Sequence, residues 1–506
     1  MISGEELARM LPGMRCSASE VDRTSYARDL MPRYHLGVRQ GHVAPFPPRA
    51  VVWPESPADV ARLVAAARRE GFALVPYGAG SGVCAAVAPD DRTVVLDVKR
   101  MSRVHAIDKQ TWTLDADAGC VGLPLEEELV RNGATLGHFP SSISTSTLGG
   151  WIASRSAGQC SSRYGKIEDM VLSVDVVTGT GEACTLHART RGPSLVPLVV
   201  GSEGTLCVIT RARMRIHDKP TARSFGAWSF PTTEGGWDAL RRVMQAGLRP
   251  AVARLYDPFD AMMAKKGAVK ADKATSARVK KASALPQLLR PFLRMPKLVN
   301  ALVEAAGSRV FGGAMIVMIY EGTPESVEHD LAVTRAMFEG ASGAFERGAW
   351  EGEGPAARWL QHRYAVSYRQ APMLRAGYFI DTMEVAATWD KLGALFHGVS
   401  HALGESAFVM AHMSHAYPDG CCIYFTFAGD ASDPARAEGV YDATWKRALA
   451  AAADAGGTFA HHHGTGRSKA PALAREIGPG GLAAFAALKR AFDPDGVLNP
   501  GALGIR

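Results

Sequence analysis

The chain has 506 residues, of which 47% are hydrophobic, and its formal net charge is +7 at pH 7. This length exceeds what a single hydrophobic core supports, so we expect two or three domains. No continuous apolar run reaches about 18 residues, which argues against a transmembrane helix, and the modest net charge gives little support to a nucleic-acid-binding protein.

Residues 1–48 are predicted to form a helical segment ahead of the first domain. The opening residues, MISGEELARMLPGM, carry acids early and lack the successive charged, apolar and small-residue regions of a secretory signal. The last residues, ALGIR, contain no receptor-read address. Only Cys421 and Cys422 lie close together among the eight cysteines, and adjacent cysteines are not spaced for zinc. We therefore expect reduced thiols in a cytoplasmic protein.

Residues 49–216 alternate helical and β-rich stretches. SPADVARLVAAARREGF has apolar residues at helical spacing after a Ser-Pro start, and the strand-like ALVPYGAGSGV follows it. TVVLDV, WTLDADAG and LSVDVVTGTGE are further strand candidates, with the helical LPLEEELVRNGA among them. The pattern predicts an α+β domain with glycine turns between strands.

Two glycine-rich loops lie within this domain. The first, PYGAGSGV, leaves a strand and offers several positions that adopt positive φ, so that backbone N–H groups can converge on an anion. The second, PSSISTSTLGG, adds hydroxyl groups and leads into WIASRSAG. Gly78, Gly80 and Gly82 do not complete the dinucleotide fingerprint, which disfavours a Rossmann site. No Gly-Lys-Ser/Thr follows, which excludes a P-loop.

A basic insertion is predicted at residues 265–300. Between Lys265 and Lys297 there are ten Lys or Arg residues and one acid, Asp272. Prolines divide its second half, LPQLLRPFLRMPKLVNALV, into short amphipathic pieces, a composition that suits contact with an anionic membrane surface. A solvated insertion loop is an equal alternative. A nucleic-acid-binding arm is disfavoured because no aromatic stacking residues accompany the charge.

The ordered series PYGAGSGV, STSTLGGWIASRSAG, RYGKIEDMVLSVDVVTGTGE and GSEGTLCVIT resembles the FAD-binding domain of the vanillyl-alcohol oxidase and p-cresol methylhydroxylase superfamily. AFDPDGVLNPG near the C-terminus extends the resemblance over nearly the whole chain. It implies an α+β fold. A two-subdomain FAD-binding domain at 49–216 is expected to precede an α+β substrate or cap domain with an antiparallel sheet at 217–457, and residues 458–506 are expected to return to the flavin site.

The resemblance also implies the cofactor contacts. The first loop has no histidine, and Cys84 lies just beyond it at a position that we do not associate with attachment, so non-covalent FAD is expected. We expect Glu203 to order a loop that contacts FAD, with Gly201 and Gly204 in its turns. The expected cofactor-binding residues are Pro76, Tyr77, Gly78, Ala79, Gly80, Ser81, Gly82, Val83, Pro140, Ser141, Ser146, Thr147, Gly149, Gly150, Ser154, Arg155, Ser156, Gly158, Tyr164, Gly165, Glu203, Gly204, Val208 and Ile209.

Within the superfamily the chain is most similar to the alkylglycerone-phosphate synthases, also called alkyldihydroxyacetonephosphate synthases. The similarity depends on SYRQAPMLRAGYFIDTMEVAATWDKL, DGCCIYFTFA and AHHHGTGR, together with AVARLYD. It implies that acyl-dihydroxyacetone phosphate exchanges its acyl group for a long-chain fatty alcohol through a flavin N5 adduct, without net redox change. The metal-binding motifs of related hydroxy-acid dehydrogenases are absent, and we expect no metal site.

The implied reaction requires a base and a phosphate-binding cation. Tyr424 in CCIYFTFA is the candidate base, and a tyrosine needs nearby cations to lose its proton near neutral pH. Arg369 is expected to act in catalysis and to bind the phosphate, with Arg254 as a second substrate ligand. His415 in MSHAYPDG is interpreted as a satisfied loop histidine. His461, His462 and His463 are assigned to the active site; if extended, they would point to alternating sides.

Two alternatives stay open at this stage. An FAD-dependent 2-hydroxy-acid or alcohol dehydrogenase could use the same scaffold, and a catalytically idle lipid-binding flavoprotein is a second possibility from another class. The chain lacks the N-terminal extension and peroxisomal signal of the synthases, so we expect a cytoplasmic location, peripheral at the inner membrane face. A homodimer is expected because dimers are common in the family.

Overall fold

The computed structural model describes residues 4–42, 47–189, 192–271, 294–340, 343–364 and 371–505. These residues form two compact units. The first unit contains Met1–Gly158, Gly165–Lys219 and His462–Arg506, and the second contains Gln159–Tyr164 and Pro220–His461. Arg369 and residues 272–293 of the basic insertion lie outside the described ranges. No helix within those ranges is both long enough and apolar enough to cross a bilayer.

The first unit contains two sheets and a two-stranded ribbon. Its strands are β1 Arg15–Ser17, β2 Ala50–Trp53, β3 Ala73–Tyr77, β4 Thr93–Asp97, β5 Val104–Asp108, β6 Thr113–Asp117, β7 Ala134–Thr135, β8 Val171–Thr178, β9 Ala183–His187, β10 Cys207–Arg215 and β11 His217–Asp218. The order is β1-β2-β4-β3 in one sheet and β5-β6-β10-β8-β9 in the other, with β11-β7 as the ribbon. Strands β2, β4 and β3 are parallel, whereas the five-stranded sheet is antiparallel.

The first unit also contains helices. They are α1 Gly4–Met10, α2 Glu20–Ser25, α3 Tyr34–Arg39, α4 Pro57–Glu70, α5 Gly122–Arg131, α6 Leu148–Ser154, α8 Ile167–Met170, α9 Val196–Val199 and α18 Ala470–Phe492. The predicted helix α4 is confirmed: Ser56 caps it by accepting a hydrogen bond from the Asp59 N–H, and Gly71 ends it at φ 70°. Its apolar face, including Leu63 and Val64, lies in the core of this unit.

The C-terminal residues complete the parallel sheet. Leu74 N–H donates to the Val497 carbonyl at 2.7 Å, and Asn499 N–H donates to the Leu74 carbonyl at 2.7 Å. A buried ion pair between Lys489 and Asp493 holds the preceding turn. The Lys489 ammonium also donates to the carbonyls of Thr205 and Leu498, at 2.8 and 2.7 Å. The AFDPDGVLNPG segment is therefore part of the same core as β3.

The second unit is built on a seven-stranded antiparallel sheet. Its strands are β12 Ala222–Phe230, β13 Val252–Tyr256, β14 Ala314–Gly322, β15 Ala349–Gly352, β16 Tyr378–Thr388, β17 Phe408–Ala416 and β18 Gly420–Asp430. Their order is β15-β12-β14-β13-β17-β18-β16. Its helices are α7 Ser161–Tyr164, α10 Thr233–Gln245, α11 Pro258–Ala271, α12 Pro296–Phe311, α13 Pro324–Glu339, α14 Gly354–His362, α15 Ala371–Arg375, α16 Leu392–Gly404 and α17 Pro434–Asp454.

Side-chain alternation gives this sheet two different faces. Leu255 of β13 packs so closely on Gly236 of α10 that a Cβ at Gly236 would overlap its methyl group. Since neighbouring strand residues point to opposite faces, Arg254 and Tyr256 lie on the face away from α10. Antiparallel pairing and helices together confirm the predicted α+β fold with an antiparallel second domain.

Candidate active site

The first glycine loop follows β3 and packs against the second loop. A Cβ at Gly78 would overlap the hydroxyl of Thr147, and Gly80 has φ 67°, which favours glycine. Lys99 supports the loop from behind, because its ammonium donates to the Gly78 carbonyl at 2.7 Å and to Asp97 at 2.6 Å. The sequence did not indicate the role of Lys99, which lies in a short 3-10 helix, Val98–Arg100, directly after β4.

The second loop leads directly into α6. Thr147 caps this helix by accepting a hydrogen bond from the Gly150 N–H at 3.2 Å, and the Trp151 indole donates to Ser146 at 2.7 Å. A side chain would not fit at Gly158, because its Cβ would overlap the backbone N of Phe139. The two loops and the start of α6 are thus held together by hydroxyl and backbone contacts, with glycines where chains approach closely.

His138, just before the second loop, was not singled out from the sequence. It is buried, its ring lies 4.7 Å from that of Trp151, and burial lowers its pKa to about 3. Neither ring nitrogen has a hydrogen-bond partner among the described residues. A neutral imidazole with unused donor and acceptor sites, placed against the helix that follows the second glycine-rich loop, fits a site that is completed by a bound polar group.

Glu203 joins its loop to the GTG segment near the C-terminus. Its carboxylate accepts hydrogen bonds from the N–H groups of Thr465 and Gly466, at 2.6 and 2.8 Å. The Asn499 amide donates to the Glu203 carbonyl at 2.7 Å. Burial raises the Glu203 pKa to about 7, although the two backbone donors act in the opposite direction. Gly204, with φ 72°, lies against Pro76.

Other predicted cofactor residues have varied surroundings. Arg155 adopts φ 57° and pairs with Glu168 at 3.0 Å. Val208 packs into the hydrophobic core of the first unit, so its side chain is occupied there. Tyr164 belongs to the second unit, and its hydroxyl donates to Glu321 at 2.7 Å.

A polar row crosses one face of the sheet in the second unit. The strand register places Glu384 opposite Tyr424, Tyr424 opposite His412, and His412 opposite Tyr256. The rings of Tyr424 and His412 stack at 4.8 Å with 16° between their planes. Because directly paired residues share a face, four adjacent strands present ionisable groups side by side. Glu384, Tyr424, His412 and Tyr256 together are named the polar face of the sheet.

The environment of Tyr424 disfavours its ionisation. Burial, the Cys422 thiol and the Glu384 carboxylate raise the Tyr424 pKa well above 10, while Arg254 acts in the opposite direction. His412 supplies no cation, because burial and Arg254 hold its pKa well below 6.5. His412 therefore does not act to lower the pKa of Tyr424.

His415 was interpreted as a satisfied loop histidine; its ring nitrogens do have hydrogen-bond partners, but its placement in a loop is wrong. It lies in β17, with φ 56°, where the register shifts between Ser414 and Ala416. Its Nε2 is 2.7 Å from the Tyr424 hydroxyl. A bulge depends on the register between β17 and β18, which alternation along one strand does not indicate.

The three consecutive histidines divide between the two units. His461 belongs to the second unit, where its ring lies 5.5 Å from that of His415 and 5.6 Å from that of Tyr417. His462 and His463 belong to the first unit, with ring centroids 4.6 Å apart. The run is bent, so the alternation expected of an extended segment does not apply.

Glu384 and Cys422 adjoin His461, a contact that sequence spacing did not indicate. The His461 N–H donates to Glu384 at 2.9 Å. Possible ligand atoms of Glu384, Cys422 and His461 lie within 4.8 Å of one another. These are residue types that bind transition metals, and the expectation of no metal site stays a prediction.

Arg254 lies on the same face of the sheet as Tyr256. Its guanidinium carbon is 5.1 Å from the centre of the Tyr256 ring and 5.8 Å from that of Trp359. Its buried Nε has no hydrogen-bond partner among the described residues. A guanidinium held by aromatic rings and retaining a donor suits an anionic ligand. The companion residue Arg369 lies outside the described ranges.

Comparisons with known proteins agree with this architecture. Residues 219–503 match a family model described as FAD linked oxidases, C-terminal domain, and residues 48–187 match one described as FAD binding domain. Alkyldihydroxyacetonephosphate synthase of Trypanosoma brucei brucei is 31% identical over 470 residues, covering 90% of this chain and 73% of that protein. These matches confirm the predicted FAD-binding domain and FAD as the cofactor.

Solved structures support the same fold. A structure of alkyldihydroxyacetonephosphate synthase, 26% identical, has a TM-score of 0.74 and covers 98% of this chain and 84% of its own. The structure of p-cresol methylhydroxylase with substrate bound is 15% identical, with a TM-score of 0.74 over 99% of this chain and 96% of its own. The second match supports the fold alone.

Proposed function

This chain belongs to the alkyldihydroxyacetonephosphate synthase family, and we propose on that premise that it forms the ether bond of an alkyl-dihydroxyacetone phosphate. Its substrates are acyl-dihydroxyacetone phosphate and a long-chain fatty alcohol, and fatty acid is the second product. Within the structure, the proposal is carried by one contact at the polar face of the sheet. The Tyr424 hydroxyl lies 2.7 Å from Nε2 of His415. That pair is suited to moving a proton.

In the proposed reaction Tyr424 removes a proton from the carbon next to the substrate ketone. Arg254 contributes a cation for the substrate phosphate, and Arg369 is proposed as its partner. His461, whose backbone N–H is fixed by Glu384, keeps its ring against His415 and Tyr417 and so shapes the surroundings of the tyrosine. His462 and His463 are proposed as further active-site residues.

FAD is proposed to bind without a covalent bond. The loops at 76–83 and 140–150, together with Glu203 and its neighbours, would hold it, and the unused ring nitrogens of His138 support the fit. When bound, FAD supplies an electron-poor ring system that the exchange uses without net oxidation. Acid precipitation tests the attachment: free FAD in the supernatant supports non-covalent binding, whereas yellow precipitate contradicts it.

One assay separates the proposed function from its alternatives. The purified protein is incubated with palmitoyl-dihydroxyacetone phosphate and hexadecanol, and alkyl product, palmitate and dye reduction are measured. Alkyl product with equimolar palmitate and no dye reduction supports the synthase. Dye reduction by a 2-hydroxy acid or an alcohol supports a dehydrogenase, and neither activity supports a lipid-binding flavoprotein.

We also propose that the protein docks on a membrane near α12. Met295, Leu298 and Leu302 are 53%, 49% and 59% exposed, and their spacing places them on one helical face. Arg294 and Lys297 flank this face, although each also pairs with an acid. Apolar side chains bordered by cations suit an anionic bilayer surface.

Liposome sedimentation tests this docking. A Leu298→Ser/Leu302→Ser variant is expected to bind vesicles containing anionic lipid less than the unchanged protein does. Leu195→Ser, an exposed leucine in the other unit, is the matched control and should bind normally. Equal sedimentation of all three proteins would contradict the proposal.

Two further expectations have their own tests. The expected homodimer is tested by analytical ultracentrifugation in sedimentation-velocity mode, and the expected cytoplasmic location is tested by cell fractionation.

A further inference from the structure

A β-bulge aims His415 at Tyr424. Ser414 pairs with Cys422 and Ala416 pairs with Cys421, which leaves His415 as the extra residue between two consecutive cross-strand pairs. Its φ of 56° is a strained conformation that few non-glycine residues adopt. Bulges of this kind commonly redirect a side chain. The strained backbone thus places an imidazole where regular alternation would not.

Both ring nitrogens of His415 lie at hydrogen-bond distance from hydroxyl groups. Nε2 is 2.7 Å from the Tyr424 hydroxyl, and Nδ1 is 2.6 Å from the Ser161 hydroxyl. Ser161 begins α7, and its oxygen lies 3.0 Å from the Tyr417 hydroxyl. Ser161 and His415 are both buried. A continuous chain of four side chains therefore runs from Tyr424 to Tyr417.

We propose that His415, held in its Nδ1–H tautomer by Ser161, is the proton acceptor that makes Tyr424 a base. This proposal rests on the proposed function of Tyr424. In this arrangement Nδ1–H donates to Ser161, the Ser161 hydroxyl donates to Tyr417, and the Nε2 lone pair accepts from Tyr424. His415 and Ser161 act through the tyrosine, so they are positioning residues.

The proton transfers balance without an additional reactant. The phenolic O–H bond of Tyr424 breaks as an N–H bond forms at Nε2 of His415, leaving a phenolate beside an imidazolium. The phenolate then takes the proton from the substrate carbon, and the electron pair of that C–H bond stays with the substrate. Tyr424 later returns this proton to carbon, and the Nε2 proton of His415 then moves back to the phenolate oxygen, which restores the starting state.

The surroundings explain why an acceptor is needed. Burial and neighbouring acids raise the Tyr424 pKa well above 10. Loss of the phenolic proton to bulk water at neutral pH would therefore give very little phenolate. An imidazolium formed at 2.7 Å would offset that penalty locally. Among the described residues, the other titratable or charged groups around Tyr424 and His415 are Arg254, Glu384, His412, Tyr417, Cys422 and His461.

The tautomer of His415 decides the direction of transfer and can be measured without substrate. Protein with its FAD is labelled with ¹⁵N-histidine, and the His415 signals are assigned by difference from His415→Gln. The proposal predicts a protonated Nδ1 and an unprotonated Nε2, and Ser161→Ala should weaken this preference. An Nε2–H tautomer in the unchanged protein would overturn the proposal, because His415 would then donate to Tyr424.

The pH dependence of turnover is the second readout. Gln at position 415 can still accept a hydrogen bond from Tyr424 but cannot take its proton. We expect His415→Gln to lower kcat at pH 7 by about 10²-fold and to replace the plateau of the unchanged enzyme by a rise with unit slope up to pH 9.5. Ser161→Ala should lower kcat by about tenfold or more. The exposed His397→Gln is the matched control, with unchanged turnover.

The two readouts separate failure of this inference from failure of the proposed function. A rate loss in His415→Gln with an unchanged profile shape would show a structural role for His415 and would overturn the relay. If the unchanged protein makes no alkyl product, the proposed function fails, and the ¹⁵N measurement still decides whether His415 can accept the phenolic proton.

Discussion

At the scale of single residues, Tyr424 has the most demanding environment. It shares the polar face of the sheet with Glu384 and His412, yet its hydroxyl is directed to the one imidazole that a bulge presents to it. A phenol with a raised pKa is a poor base in bulk water but a strong one after its proton has moved to a neighbour. The rate should therefore depend on this hydroxyl and little on the ring.

The first prediction concerns Tyr424→Phe. Removing the hydroxyl keeps the stacked ring and should lower kcat by about 10² to 10⁴-fold, the usual contribution of a positioned acid–base group. Release of label from substrate tritiated on the carbon next to the ketone should fall in parallel. FAD content and the melting temperature should change little. Full label release in this variant would show that another group removes the proton.

At the scale of elements, the packing of the two glycine loops determines the FAD-binding surface. Gly78→Ala would drive a methyl group into the Thr147 hydroxyl, which also caps α6. We expect this variant to retain less FAD, measured as the ratio of flavin to protein absorbance after gel filtration. Gly82→Ala is the matched control, because its Cβ would lie at an ordinary contact distance of 3.4 Å from Asp29.

If Gly78→Ala and Gly82→Ala lose the same amount of flavin, close packing of the loops is not what secures the cofactor. Loss in Gly82→Ala alone would instead point to a backbone contribution at that position. Both variants should keep the circular dichroism of the unchanged protein, since neither glycine lies within a helix or a strand.

A second element, the C-terminal turn after α18, depends on one buried charge. Lys489→Met leaves the Asp493 carboxylate buried without its cation, and breaking such a pair costs about 3–5 kcal/mol. It also leaves the carbonyls of Thr205 and Leu498 without their donor. We expect a clearly lower melting temperature, measured by calorimetry. Arg490→Met, an exposed neighbour on α18, should melt normally.

These elements show what the sequence could and could not reveal. The glycine loops, α4 and the strand containing Tyr424 are predictable because turns, caps and alternation are local properties. The roles of His138, Lys99 and His415 depend on contacts that the folded chain creates, so no local spacing indicates them. The division of His461 from His462 likewise follows from tertiary structure. The polar face emerges only from the register of four strands.

At the scale of the whole molecule, buried ionisable groups set opposing pH dependences. Burial raises the pKa of Glu203 and of Asp29 to about 7, and it also raises those of the Asp257–Asp260 pair. A carboxyl whose pKa is higher in the folded protein stabilises the fold fully below its unfolded pKa. That contribution is lost as the pH rises through the folded value. Neutral buried histidines such as His138, whose pKa is lowered, act in the opposite sense.

Because these effects oppose each other, the informative quantity is the difference in melting temperature between the protein and a variant with one group removed. As the pH rises from 4.5, the ordinary pKa of a glutamate, to about 7, the stabilisation that Glu203 gives the fold should fall by about 3 kcal/mol as an upper estimate. Glu203→Gln cannot ionise but can still accept hydrogen bonds from Thr465 and Gly466. Its melting temperature relative to the unchanged protein should therefore rise from pH 5 to pH 8, as measured by calorimetry of the FAD-loaded proteins. Glu127→Gln, an exposed acid of the same unit, should show no such change. A constant difference for Glu203→Gln across this range would mean that Glu203 is already ionised at pH 5, with its two backbone donors outweighing the cost of burial.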